Sequence, residues 1–154
     1  MADFYTVGLE ERAQRMGQLA LEALKSWGVT DSIPELIKIR ENAVFRVSLA
    51  DGSYAALRIH RYGYHSDTAL KSELQWMRSV QQDGINVPAI VPTLSGALFI
   101  TATVNQVPEP RQIDMVEWLP GAPLGSLEEG LSSEVSENIS KTFIKQHGPM
   151  HTKY

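Results

Sequence analysis

Apolar residues recur through the first thirty positions at the spacing of one helix face. Leu9, Ala13, Met16, Ala20, Ala23, Leu24 and Trp27 fall at i, i+3, i+4 intervals, while Glu10, Glu11, Arg15 and Lys25 fall mostly elsewhere. Gly28 then supplies a terminator. Beyond it the pattern shortens to strands at residues 36–40, 44–50 and 54–61, with Asp51-Gly52 as a tight hairpin turn and Glu41-Asn42 as the turn before it. Ser66 or Asp67 can cap a second helix whose stripe is Leu70, Leu74, Met77 and Val80, and Asp83-Gly84 ends it. Strands return at 90–94, 98–104 and 113–119, punctuated by Ser95-Gly96 and by Val107-Pro108-Glu109-Pro110. Residues 120–130 form a connection rich in glycine, proline and small side chains, and a last helix runs from Ser132 or Ser133 to Gly148-Pro149. The order predicts an α+β fold: an antiparallel sheet with an N-terminal helix, a helix after the third strand, and a C-terminal helix.

Composition narrows the partners. The 154 residues carry a net charge of -4 with scattered basic residues, which argues against nucleic acid or an anionic membrane as partner. The N-terminus, Met1-Ala2-Asp3-Phe4, lacks the basic and apolar regions of a signal peptide, and the apolar stretch at 97–104 is too short to span a bilayer. With no cysteine there is no disulfide framework and no thiolate metal or redox chemistry, and a cytoplasmic location is expected.

Candidate chemistry begins on the third strand. Alternation puts Ala56, Arg58 and His60 on one face and Leu57 and Ile59 on the other. A small residue two places before a cation leaves room for a flat base, with positive charge further along for its phosphates. Glu73, on the following helix at the edge of its apolar stripe, can reach inward to Arg58. Taken singly, Arg58 is an ordinary strand arginine and Glu73 a solvated helix charge; their placement on successive elements gives the functional reading equal weight. Asp114-Met115-Val116-Glu117-Trp118-Leu119-Pro120-Gly121 adds an apolar strand running into a Pro-Gly break, able to present backbone groups of residues 117–119 to a base edge. Trp27, Trp76 and Trp118 read as packing residues.

In that order, Glu41-Asn42-Ala43-Val44-Phe45-Arg46-Val47, Tyr54-Ala55-Ala56-Leu57-Arg58-Ile59-His60-Arg61, Ser72-Glu73-Leu74-Gln75-Trp76-Met77 and Val116-Glu117-Trp118-Leu119-Pro120-Gly121 resemble the N-terminal lobe of the aminoglycoside phosphotransferase superfamily. The likeness is nearest to its homoserine-kinase-like and stress-response-kinase-like members and covers roughly residues 9–121. It implies a bilobal kinase that passes the γ-phosphate of ATP, with Mg, to a hydroxyl of a small molecule or protein. Residues 1–121 would be the ATP-binding small lobe with its hinge, and 122–154 the linker and first helix of a second lobe. The first hairpin, with Asn42 and Val44, would lie over the phosphates; Ala56 would face the base, Arg58 the α/β-phosphates, and Glu73 would orient Arg58. Backbone of Glu117, Trp118 and Leu119 would hold adenine.

Two departures from the family pattern stand out. The strand cation is Arg58, where better-known members have lysine, and arginine is bulkier and differently directed. The family's His-Gly-Asp catalytic loop, its asparagine five residues later and its Ile-Asp-Phe-like metal segment do not follow the hinge; His147-Gly148 is followed by Pro149. Two near-matches carry no such role: His65-Ser66-Asp67 precedes a helix as a cap, and Ile113-Asp114-Met115 lies on the hinge strand. His147 and His151 are separated by Gly148-Pro149 and have no third ligand. The expectation is therefore an ATP-binding lobe inactive alone, with no catalytic or metal residue of its own. Its partner would be a second lobe or another copy, docked on an exposed apolar lower face. The alternative is a non-catalytic interaction or regulatory module built on the same lobe.

Overall fold

The computed structural model describes residues 3–119 apart from Glu41 and Tyr64. The linker and last helix expected after residue 119 lie outside the described residues. Helix α1 (Leu9–Leu24) passes through a short 3-10 turn at Lys25–Trp27 and ends on Gly28, whose φ of 72° is left-handed and suits glycine. Strands β1 (Glu35–Ile39), β2 (Ala43–Ser48) and β3 (Tyr54–Ile59) follow, then α2 (Asp67–Gln82), β4 (Ile100–Val104) and β5 (Val107–Glu117). The five strands form one antiparallel sheet in the order β1-β2-β3-β5-β4, which is the expected α+β architecture.

The main core lies between α1 and one face of the sheet, here called outer. Met16, Leu19, Ala20, Ala23 and Leu24 of α1 meet Ala43, Phe45, Val47, Ala55, Leu57, Ile59, Ile113 and Met115, all buried. Period-2 alternation on the strands sends these side chains to one face, and each fully buried leucine or isoleucine contributes about 2 kcal/mol. The predicted helix stripe is rotated slightly: Leu9 is 62% exposed, while Leu19, absent from the prediction, is fully buried.

Helix α2 starts where Ser66 caps it, its hydroxyl accepting from the Ala69 N–H at 3.1 Å. Its stripe of Leu70, Leu74, Met77 and Val80 is buried as expected, but against residues 85–99 rather than against the strands: Leu98, Ile90 and Phe99 cover the first three, and Val87 and Ile85 cover Val80. Residues 90–94 are not a strand. Pro88 just before the segment and Pro92 within it remove two donors, so what remains is a bridge of Ile90 to Val116, flanked by Val91 N–H to Met115 O and Glu117 N–H to Ala89 O. Trp27 fastens this segment to the end of α1, donating from Nε1 to Val91 O at 2.7 Å.

Strand β5 begins six residues earlier than the sequence suggests, inside the proline run. A two-residue turn at Asn105-Gln106 returns β4 into β5, and the register slips between Ala102 and Val104, so Pro108 and Pro110 sit where the ladder is irregular. Glu109, between them, has φ 60°, costly for a residue with a side chain.

Candidate functional site

The inner face of the sheet carries the residues that the sequence singles out. In register, Val44, Arg58 and Asp114 lie side by side across β2, β3 and β5, and the next row is Arg46, Ala56 and Val116. Neighbouring strands stand about 4.8 Å apart, so each row is about 10 Å across. Val44, Ala56 and Val116 pack as one small apolar cluster, closed by Ile90 and Trp118. Val44 and Val116 are each 1% exposed and Ala56 is 0% exposed. These three positions are therefore not open apolar surface, because Ile90 from the bridge segment and Trp118 pack against them.

Arg58 does not rest on Glu73 in the way its position on the following helix suggests. Its Nε donates to Asp114 Oδ1 at 2.6 Å and its Nη2 to Oδ2 at 3.0 Å, a bidentate pair with both side chains buried. His60 joins from just past the end of β3, with Nε2 2.7 Å from Asp114 Oδ2. The reason is register: Arg58 and Asp114 are direct partners across the β3–β5 ladder. Burial alone pushes the Asp114 carboxyl up, but Arg58 and His60 outweigh it by charge and hydrogen bonding and hold it well below the usual carboxylate range. Glu73 stands on α2 with Oε1 3.1 Å from His65 Nε2, both partly exposed.

The remaining expected residues divide. Asn42 is buried in the β1–β2 turn, where its Oδ1 accepts from the Arg61 N–H at 3.0 Å and its carbonyl from the Arg40 N–H at 2.9 Å. Its side chain thus ties the first hairpin to the end of β3. Glu117 spends its N–H on Ala89 O at 2.7 Å, and its carboxylate accepts from the Ala89 N–H at 3.2 Å. Beside it, an open cleft of about 450 Å³ is walled by Trp118, Tyr54, Ala89 and the Asp51-Gly52 hairpin flanks Leu49 and Ser53.

Sequence reasoning missed three contributors to this face. Asp114 resembles part of a metal segment in sequence, yet it shares parity with Val116 and faces inward with it. Arg46 and Tyr54 follow from the same alternation: the Arg46 guanidinium lies 4.6 Å from the Tyr54 ring centre and 5.7 Å from that of Trp118, and it donates to Glu35 at 2.6 Å. The described residues contain no group of three His, Asp or Glu able to hold an ion, and both Asp114 oxygens are already engaged.

Comparison with solved structures decides the fold. An aminopropanol kinase associated with a microcompartment superposes with TM-score 0.59 at 30% identity, over 69% of this chain and 32% of that one. The chain has the fold of a kinase small lobe. An amicoumacin kinase solved with AMP-PNP, Ca2+ and Ami gives TM-score 0.55 at 21% identity, over 74% of this chain and 34% of that one. The chain thus spans about a third of the length of either kinase, and the resemblance to the aminoglycoside phosphotransferase superfamily extends from sequence to structure. No family profile matches the chain, and no curated protein does.

Proposed function

We propose that this lobe binds the adenine nucleotide of a phosphotransferase, with ATP as phosphate donor and a hydroxyl on a small molecule or protein as acceptor. The observation that carries it is the juxtaposition of Val44, Ala56 and Val116 as one apolar shelf, a single row from Arg58 and directly before the chain leaves at Trp118 and Leu119. A base entering this shelf displaces Trp118, and the amides of Trp118 and Leu119 take over the edge contacts that Glu117, bonded to Ala89, does not supply. The β1–β2 turn at Asn42 lies over the phosphates. Arg58 reaches them while anchored by Asp114, and Glu73 comes into play through α2. In this reading magnesium and the catalytic base come from residues outside 3–119, and residues 3–119 hold the nucleotide. The reaction is taken to run in the cytoplasm.

Two observations favour a second reading, a lobe kept for interaction or regulation: the shelf is closed, and the guanidinium edge of Arg58 is bonded to Asp114. Calorimetric titration with adenosine separates the two, since adenosine tests the shelf with no phosphate present. Saturable heat that Ala56→Leu weakens tenfold or more supports nucleotide binding. No heat with adenosine or Mg-ATP from a folded sample overturns it and leaves the interaction reading.

A further inference from the structure

On the outer face, at the end of the sheet where α1 begins, lies a second cavity of about 290 Å³ unconnected with the shelf. Four arginines line it: Arg12 from α1, Arg40 from the β1–β2 turn, Arg61 from the end of β3 and Arg111 from β5, with Tyr5 and Tyr62 also in its wall. Four cations around one small cavity repel one another unless an anion answers them. Among the described residues, the carboxylate that meets one of them is Glu109, 3.7 Å from Arg111 and accepting from the Tyr5 hydroxyl at 2.7 Å. Glu109 is held there by the left-handed backbone between its two prolines. Arg61 has a further interaction of its own. The balance of the cluster remains positive.

Two of these side chains have unmet donors. Arg111 is 3% exposed, and its Nε is buried without a hydrogen-bond partner; the Nε of Arg12 is in the same condition. Buried donors are nearly always paired, and leaving one unmet is unfavourable. A structural role accounts for part of the arrangement, because both guanidinium groups stack on the Phe4 ring, at 5.9 Å and 5.5 Å, and clip the N-terminal segment to the sheet. Stacking engages the flat face of a guanidinium, however; along the edge, Arg12 Nη2 donates to Tyr5 O at 3.4 Å and Arg111 Nη2 to the Tyr5 hydroxyl at 3.0 Å, while each Nε remains for an acceptor in the same plane.

We infer that this pocket binds the phosphate group of a small organic phosphate. Arginine forks match phosphate oxygens two by two, and a dianion answers several guanidinium charges at once. The tyrosine rings, about half exposed (Tyr5 52%, Tyr62 59%), offer an apolar wall for the organic part. The site lies on the face opposite Ala56, so it does not depend on the nucleotide reading.

The test is a thermal-shift titration of the full chain with phenyl phosphate and with inorganic phosphate, against sodium chloride at equal ionic strength. A saturable rise with phenyl phosphate, absent with chloride, is expected. Arg12→Gln and Arg40→Gln should each weaken it about tenfold, the effect of losing one charge-assisted bond of about 1.4 kcal/mol. Arg12 is the decisive position, since it stands on α1, away from the shelf. Adenosine binding should be unchanged in Arg12→Gln. No saturable rise, or a rise that Arg12→Gln leaves unaltered, overturns the site. Equal affinity for phenyl phosphate and inorganic phosphate overturns the organic ligand in favour of the free ion.

Discussion

The outer face of the sheet meets α1 through Phe45, Leu57, Ile59, Ile113 and Met115, a layer of hydrocarbon whose one buried strand cation among the described residues, Arg111, lies at its margin. The inner face is as thoroughly removed from water around Ala56, yet at its centre are an arginine, an aspartate and a histidine. The outer layer is stable by area alone and tolerates exchange of one apolar residue for another of similar volume. The inner one is stable only while its members remain together, because each charge is affordable in that setting solely through its partners. Its gain is specificity: a one-residue slip of β5 would set Arg58 against Ile113 or Met115, so the ion pair selects the register that the hydrocarbon layer also demands.

The contrast breaks most visibly at Asp114. Asp114→Ala leaves Arg58 buried without its counter-charge and should cost about 4 kcal/mol in urea unfolding. Leu57→Ala, one residue from Arg58 but facing α1, should cost about 3 kcal/mol through lost transfer energy and a cavity. A loss below about 1 kcal/mol for Asp114→Ala would mean that the pair is solvated and the inner face is not what it looks like.

Acid should separate the faces further. The Asp114 carboxyl is held below its unfolded value, so it contributes stability above the ordinary carboxylate range and gives it up as pH falls below about 4. Between pH 7 and pH 3, wild type and Leu57→Ala, which both keep the pair, should therefore lose stability in parallel, whereas the difference between wild type and a variant in which the pair is gone should change with pH. That variant, Arg58→Met with Asp114→Leu, should lie within about 1 kcal/mol of wild type at pH 7 and lose less than wild type on acidification. The smallest effect belongs to Glu73→Gln. With its carboxylate partly exposed beside His65, it should move stability by no more than about 0.5 kcal/mol. A loss above 2 kcal/mol there would restore Glu73 as a buried partner of the strand cation.

Much of this was legible from the chain. Alternation placed Ala56, Arg58 and His60 on one face, the Asp51-Gly52 turn fixed the β2–β3 hairpin, and the α2 stripe was read correctly down to Ser66 as a possible cap. What escaped depends on distance in sequence. Arg58 and Asp114 are 56 residues apart, and only the strand order shows that β5 rather than α2 lies beside β3. Local signals offered Glu73 because it was near along the chain. The prolines misled in both directions: Pro88 and Pro92 prevent a strand where apolar residues invited one, while Pro108 and Pro110 are absorbed into β5 at an irregular stretch of ladder. The arginine pocket has no sequence signature, since its members come from four elements and meet only when the sheet end closes on α1.

Ile113 has Ile59 on one side and Ile100 on the other; upstream of it β5 is held by β4, downstream by β3. The β4–β5 hairpin and the β1–β2–β3 meander are thus two pieces of cloth stitched along one thread. The seam covers five residue pairs, from Ile59 with Ile113 to Ala55 with Glu117, and two of its pairs, those of Ile113 and Val116, are also bridged from the far side. Such a seam cannot fray from its ends; it parts only when the whole domain opens. In deuterated solvent the amides of this stretch will be the last to fade, and they will fade together.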